Sequence, residues 1–327
     1  MQNKNTNNLN MPVLLARDLQ KTYENITVLN QLSFSLEAGR ILGFLGPNGA
    51  GKTTAIRILT TIMSPTSGSF FINGISGDDP SIIRKMIGVL PESNGFPESM
   101  SAIEFLTYHG SLYGLLNVDA YKCGMELLNE VGLAGKENSY ISTFSRGMRQ
   151  RLGIARSIIN NPLVVFLDEP TLGLDPSGQE ELLTLIKKIA LERKTAVVFC
   201  SHLLPEVERL CDDVIILRQG SVVANGTVAE VIAGSIKNLI RIHIPQNTVK
   251  KALETLLTLP NISDVKIMKG TNDWLDIYTA TNLLDKKSTE YIHNVSVLKA
   301  LITNNIPVIS FETGGGHLQD VFLKLTK

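Results

Sequence analysis

Continuous apolar runs alternate with helical patterns through the first two thirds of the sequence. The runs at residues 41–45, 163–167 and 196–200 contain only apolar residues and glycine, which is typical of strands buried on both faces of a parallel sheet. Between them, apolar residues recur at the three-to-four-residue spacing of helices. This alternation of strands and helices predicts a doubly wound α/β sheet.

Shorter strands are predicted before and between these runs. Residues 12–17 and 27–36 have strand patterns, and the second keeps one apolar face only if the alternation slips at Asn30-Gln31. Residues 69–73 and 86–90 are further predicted strands. The sequence therefore predicts several β elements outside the buried parallel core.

The remaining patterns divide the chain into regions. Residues 101–132 have helical spacing, so we expect a helical insertion at about 93–160 within a first domain at 11–235. The Asn-rich segment 1–10 has no apolar core and is predicted to be disordered. From 236 to 327 the predicted order is β-α-β-β-α-β, which resembles a ferredoxin-like α+β module.

Composition excludes several classes of function. Lys+Arg and Asp+Glu number 31 each, so net charge gives no support for nucleic-acid binding. The 3 cysteines have no C-x-x-C spacing, which fits a reducing compartment rather than a disulfide or zinc framework. No stretch approaches the length of about 18–20 apolar residues that spans a bilayer.

A glycine-rich loop follows the apolar run at 41–45 and leads into a helical pattern. Strand, loop and helix are the context in which G-x-x-x-x-G-K-[ST] forms a phosphate cradle, rather than an ordinary glycine turn. Backbone N–H groups and the helix N-terminus would bind the phosphates, Lys52 would reach the β- and γ-phosphates, and the Thr53 hydroxyl would ligate Mg²⁺. The predicted cradle comprises Gly46, Pro47, Asn48, Gly49, Ala50, Gly51, Lys52, Thr53 and Thr54. By contrast, Gly314-Gly315-Gly316 has no Lys-Ser/Thr after it and is predicted to be a turn.

Three polar residues end buried strands. Asp168 and Glu169 close the run at 163–167, where Asp168 could hold Mg²⁺ and Glu169 could orient or deprotonate the attacking water. An acidic pair could also be a plain strand end, and His202 after the run at 196–200 could be a structural histidine. Because the glycine loop precedes them in the chain, the catalytic interpretation of these residues is favoured. In that interpretation His202 donates a hydrogen bond to the γ-phosphate.

With these motifs in this order, the chain resembles the ATP-binding subunit of an ATP-binding cassette (ABC) transporter over residues 11–233. Residues 46–53 match the Walker A loop, residues 163–168 match Walker B, and residues 172–175, which end in Asp175, match the D-loop. The resemblance makes Glu169 the catalytic carboxylate and His202 the switch histidine. It also assigns adenine stacking to Tyr23.

Two motifs depart from the family pattern. The signature Leu-Ser-Gly-Gly-Gln is Phe-Ser-Arg-Gly-Met here, so Ser145 and Gly147 are kept while Arg146 and Met148 differ. The Q-loop glutamine is Glu92, which could ligate Mg²⁺ but, as a carboxylate, could not donate a hydrogen bond to the water. Both departures lie at positions that the resemblance assigns to nucleotide contact.

The resemblance implies a mixed sheet with helices, an antiparallel β subdomain and a helical insertion. It also implies an ATP-hydrolysing, Mg²⁺-dependent subunit that forms a homodimer around two ATP molecules, because the signature of one copy completes the site of the other. A separate membrane permease would dock after Glu92, on the cytoplasmic face of the membrane, and the C-terminal extension is that of exporter subunits. A soluble ATP-driven regulator without a permease is the alternative, and an ATP sensor without turnover is a third possibility.

Overall fold

The computed structural model divides the chain into two compact units, the first ending at Val228 and the second comprising Ala229–Leu325. No helix in the part of the chain that it describes is both long and apolar enough to cross a membrane. The predicted tail at 1–10, the Gly314-Gly315-Gly316 turn and two loop residues after Glu92 lie outside the described residues. The structure describes residues 12–92, 95–235, 239–260, 262–268, 270–279, 286–313 and 317–326.

The first unit is built on a six-stranded sheet in the order β10-β9-β3-β8-β7-β6. Its strands are parallel except β10, which pairs antiparallel with β9 at one edge. All five residues of β3 and of β8 are buried, as their continuous apolar sequences predict. The strands of this unit are β1 (Leu14–Tyr23), β2 (Ile26–Leu36), β3 (Ile41–Leu45), β4 (Ser67–Ile72), β5 (Ile75–Ser76), β6 (Ile87–Leu90), β7 (Val164–Asp168), β8 (Ala196–Cys200), β9 (Asp213–Arg218) and β10 (Ser221–Thr227).

The early strands form a second sheet, which is separate from the parallel sheet. It is antiparallel and has the order β2-β1-β4-β5, so the doubly wound pattern applies only to the parallel strands β3 and β6–β9. The predicted slip in β2 is confirmed, because Gln31 has a φ of 49° and the β1–β2 register shifts there. Tyr23 is the last residue of β1 and pairs with Ile26, whereas the predicted strands at 12–17 and 27–36 left it outside both.

The two sheets share one hydrophobic core beneath the glycine-rich loop. Phe34 of β2 packs edge-to-face on Phe44 of β3, with ring centroids 5.5 Å apart. Ile58 and Leu59 of the helix that follows the loop are fully buried in the same cluster. Strand and helix on either side of the loop are thus fixed by apolar packing, which holds the loop between them.

Helices cover the sheet and form the predicted insertion. Helix α3 begins with a capping box in which the Ser101 hydroxyl accepts from the Glu104 N–H at 3.3 Å and the Glu104 carboxylate accepts from the Ser101 N–H at 2.8 Å. The Arg193–Glu130 ion pair, at 2.5 Å, joins α6 to α4. The short helix α2 lacks a strong pattern and was not predicted. The helices of this unit are α1 (Lys52–Leu59), α2 (Pro80–Met86), α3 (Ala102–Leu112), α4 (Asn117–Glu130), α5 (Arg146–Ser157), α6 (Pro176–Arg193) and α7 (Leu204–Leu210).

The second unit begins within helix α8 (Val228–Ser235), which was not predicted, and has its own antiparallel sheet in the order β12-β13-β11-β14. From β11 to β14 its elements follow the predicted order β-α-β-β-α-β. The buried Arg241 of β11 pairs with Asp276 of β13 at 2.7 Å and with Asp320 of α11 at 3.2 Å, which ties the last helix to the sheet. The further elements are β11 (Leu239–His243), α9 (Val249–Leu257), β12 (Ile262–Ile267), β13 (Trp274–Thr279), α10 (Lys286–Thr303), β14 (Ser310–Thr313) and α11 (Leu318–Thr326).

Candidate nucleotide site

An open cleft of about 1130 Å³ lies where three neighbouring strands end. The glycine-rich loop follows β3, Asp168 and Glu169 end β7, and His202 follows β8. Ligands of open α/β sheets bind at the carboxyl ends of the strands, and this cleft has that position. Its lining includes Asn48, Gly49, Ala50, Gly51, Lys52, Thr53, Thr54, Arg57, Met63, Glu92, Asp168, Glu169 and His202.

The loop has a backbone that only glycine adopts at low cost. Gly51 has a φ of 104°, and a Cβ there would lie 2.8 Å from the Val28 carbonyl oxygen. Gly49 has a φ of 80° and faces open space. Lys52 is the first residue of α1, and its Nζ donates to the carbonyl oxygens of Gly46 at 2.6 Å and Pro47 at 3.2 Å. A left-handed glycine loop, a helix N-terminus and an ammonium group together fit a polyphosphate.

Glu169 and His202 are in direct contact. Their Oε2 and Nδ1 atoms are 2.8 Å apart. Glu169 has a φ of 49°, which turns the chain at the end of β7. Its N–H donates to the Cys200 carbonyl at 2.9 Å. The Glu169 side chain is 16% exposed and that of His202 56% exposed, so the histidine lies at the open side of the cleft and the carboxylate beneath it.

Asp168 has an unusual electrostatic environment. Burial raises its pKa, and the negative charges of Glu169 and Glu92 raise it further, whereas Lys52 and Arg57 oppose the change. Mg²⁺ in such sites is held by one or two carboxylates plus substrate phosphates. Asp168 and Glu92 both line the cleft and could supply such carboxylates. No group of three or more His, Cys, Asp and Glu side chains among the described residues could hold a metal by itself.

Sequence reasoning missed several residues of the cleft lining, among them Arg57 and Met63. Arg57 lies four residues after Thr53, on the same face of α1, and this helical spacing was a usable signal. Met63 enters from the turn after α1, for which the sequence offered no signal. The Tyr23 hydroxyl donates to the Met63 sulfur at 2.9 Å, so Tyr23 lies beside a lining residue and is itself 43% exposed.

The other predicted nucleotide contacts do not line this cleft. Ser145 is the N-cap of α5, where its hydroxyl accepts from the Met148 N–H at 3.3 Å, and Gly147 lies in the first turn. Asp175 is the N-cap of α6. The Arg146 guanidinium lies directly against Gly173, in the turn that leads to Asp175. One chain thus brings together the loop, Asp168, Glu169, Glu92 and His202, but leaves Ser145, Gly147 and Asp175 apart from them.

Known proteins resemble this chain over most of its length. The family model "ABC transporter" matches residues 29–172. The linearmycin resistance ATP-binding protein LnrL of Bacillus subtilis is 30% identical over 96% of this chain and 98% of its own. The bacitracin transport ATP-binding protein BcrA of Bacillus licheniformis is 32% identical over 96% and 97%, respectively.

Solved structures resemble this chain over about two thirds of its length. A structure of the ATP-binding subunit of an ABC transporter is 31% identical, with a TM-score of 0.60 over 67% of this chain and 91% of that chain. The dimeric cassette MJ0796, in a post-hydrolysis state bound to ADP and Pi, is 25% identical, with a TM-score of 0.59 over 65% and 98%.

Proposed function

This chain belongs to the ABC transporter family as an ATP-binding subunit, and from that premise we propose that it hydrolyses Mg-ATP to drive an exporter whose permease is a separate polypeptide. The observation that carries the proposal is the Glu169–His202 contact of 2.8 Å at the glycine-loop cleft. This contact places Glu169 as a general base and His202 as a γ-phosphate ligand beside the phosphate cradle.

The cradle residues bind and orient the triphosphate. Backbone N–H groups of residues 46–54 and the N-terminus of α1 attract the phosphate oxygens. Lys52, whose Nζ donates to loop carbonyls at 2.6 and 3.2 Å, transfers those hydrogen bonds to the β- and γ-phosphates. Tyr23 stacks on adenine beside Met63. These contacts fix the γ-phosphorus over Asp168 and Glu169.

Thr53, Asp168 and Glu92 would hold Mg²⁺ beside the phosphates. Mg²⁺, when bound, neutralises charge on the β- and γ-phosphates. Burial beside two other carboxylates raises the pKa of Asp168, so a cation in the cleft relieves that repulsion. Glu92 adds a carboxylate where the family has glutamine, and we assign it to the ion rather than to donation toward the attacking water.

Glu169 activates the attacking water. Its carboxylate accepts a proton from water while His202 holds the γ-phosphate by a hydrogen bond, and their 2.8 Å contact fixes the two side chains relative to each other. Glu169 is only 16% exposed, which limits competing solvent contacts. Chemistry of this kind needs positioning more than covalent participation by the protein.

A second copy of the chain completes the site. Ser145, Gly147 and Asp175 carry the family's signature and D-loop functions, yet none of them lines the cleft of its own chain. Two copies arranged head to tail would bring the N-terminus of α5 in one copy onto the γ-phosphate bound by the other. ATP binding therefore closes the dimer, and hydrolysis releases it.

The permease docks on the cytoplasmic face of the membrane, after Glu92, on the helical insertion. Phe96 itself packs against Phe105, with ring centroids 5.3 Å apart, which favours local packing for that side chain. Export is supported by two relatives, one named for linearmycin resistance and the other for bacitracin transport. The soluble regulator is not favoured, because these relatives match 96% of the chain, which includes most of the second unit.

Two measurements test this function. The purified chain should hydrolyse ATP only with Mg²⁺, and a tagged chain should co-purify with an integral membrane protein. Mg²⁺-dependent turnover without any membrane partner, in extracts solubilised with mild detergent, would support the soluble regulator instead. Absence of turnover with retained ATP binding would support an ATP sensor.

A further inference from the structure

Glu206 of α7 is a buried carboxylate that joins the segments after two neighbouring strands. Only 7% of the residue is exposed. Its Oε2 atom accepts from the Thr171 hydroxyl at 2.8 Å and from the Ser201 hydroxyl at 2.9 Å. Thr171 and Ser201 are themselves 0% and 1% exposed, so water cannot replace these contacts.

Each hydroxyl belongs to a segment that carries a reacting group. Ser201 directly precedes His202, and Thr171 follows Glu169 by two residues. The Ser201 hydroxyl also accepts from the Leu203 N–H at 3.0 Å, so the backbone on both sides of His202 is tied to this point. One carboxylate oxygen therefore fixes both segments relative to each other.

The second oxygen of the same carboxylate weakens the case for a purely stabilising role. Glu206 Oε1 is buried and has no hydrogen-bond partner among the described residues. Burying a polar atom without a partner costs about 1–3 kcal/mol, which offsets part of the stabilisation from the two hydroxyl contacts. A fixed acceptor for two hydroxyls accounts for this residue.

We infer that Glu206 is a positioning residue for ATP hydrolysis, which sets the separation of Glu169 and His202 by holding Thr171 and Ser201 together. The inference rests on the proposed ATPase function. Glu206 lies outside the cleft lining, so its effect passes through the two segments. A misplacement of about 1 Å in a catalytic group can cost on the order of 100-fold in rate.

Two substitutions separate the acceptor from the charge. Glu206→Gln keeps an oxygen that can accept both hydroxyls, and we expect kcat within about 3-fold of the wild type. Glu206→Leu removes the acceptor, and kcat should fall about 10- to 100-fold while KM for ATP changes less than about 3-fold. The control is Glu208→Gln, half-buried on the same helix, which should retain wild-type kcat.

A double-mutant cycle identifies the route of the effect. If Glu206 acts through His202, the Leu substitution should change kcat little in a His202→Ala background. Full additivity of the two substitutions would overturn the inference, as would wild-type kcat in Glu206→Leu or an equal loss in Glu206→Gln.

Two further variants serve if Glu206→Leu does not fold. Thr171→Val and Ser201→Ala each remove one donor, and each should lower kcat without raising KM. Unchanged kcat in both would contradict the inference. Wild-type turnover is measured first, so a protein without any ATPase activity would refute the proposed function, whereas an active wild type with indifferent variants would refute only the role of Glu206.

Discussion

Replacing Glu169 by Gln removes the proposed general base while leaving its shape. The amide has nearly the same size, so the backbone at this position, with its φ of 49°, has no new steric conflict. An amide oxygen can still accept from His202, whose Nδ1 is 2.8 Å away in the wild type. The cradle for the triphosphate is untouched, so we expect ATP binding to persist.

The expected loss of turnover in Glu169→Gln follows from the loss of general-base catalysis. Proton transfer by a positioned side chain contributes about 10²- to 10⁴-fold, which corresponds to roughly 2.7–5.4 kcal/mol in the activation barrier at about 1.36 kcal/mol per tenfold. Part of this loss is offset, because the substituted amide carries no negative charge beside the incoming phosphates. The same change should stabilise the ATP-bound dimer, since hydrolysis no longer releases it.

The assay combines steady-state phosphate release with size-exclusion chromatography in Mg-ATP. The control is Glu181→Gln, which removes a 62% exposed carboxylate paired with Arg151 and should change neither turnover nor dimer formation. Wild-type turnover in Glu169→Gln would refute the base assignment. Loss of ATP binding in that variant would instead show that the substitution disturbs the cleft.

Three further predictions concern the same unit. Lys52→Ala removes the ammonium that donates at 2.6 Å to the loop and should weaken ATP binding in calorimetry; unchanged affinity would contradict the cradle. Asp168→Asn should abolish Mg²⁺-dependent turnover yet raise the Tm of the nucleotide-free protein at pH 7.5, because burial and neighbouring carboxylates raise the pKa of Asp168 and so destabilise its charged form. That Tm difference should shrink as the pH falls and the wild-type carboxyl is protonated, and a difference that grows would oppose this explanation. Burial, aided by the charge of Arg156, lowers the pKa of His109 to about 4, so the folded protein should lose stability as the pH falls from about 6.5, the unfolded value, toward 4. His109→Gln should remove this loss of stability. In thermal unfolding at pH 7.5 and 4.5, the Tm of the variant relative to that of the wild type should therefore rise only at the lower pH.

Local chemistry determined the parts of the site that lie next to one another in the sequence. The glycine loop needs backbone that only glycine adopts readily, and residues 46–54 therefore predicted a phosphate cradle before any fold was known. Asp168 and Glu169 were recognisable because a buried apolar strand precedes them. Arg57 could have been found by helical spacing from Thr53.

Contacts between distant residues followed only from the tertiary structure. Nothing in the sequence indicated that Tyr23 would donate to Met63. The family resemblance implied an antiparallel β subdomain, but its strand order β2-β1-β4-β5 followed only from the structure. Strand pairing depends on which apolar faces meet, and a single strand's pattern does not specify its neighbour.

The sequence by itself determined the family and the acidic strand end and predicted the phosphate cradle, because each is encoded by residue types at fixed short spacing. The tertiary structure alone decided that Glu169 and His202, 33 residues apart, meet at 2.8 Å, and that Glu206 holds their segments together. The reason is physical: β7 and β8 lie side by side in parallel, so their ends coincide only after the sheet has formed and its core has packed.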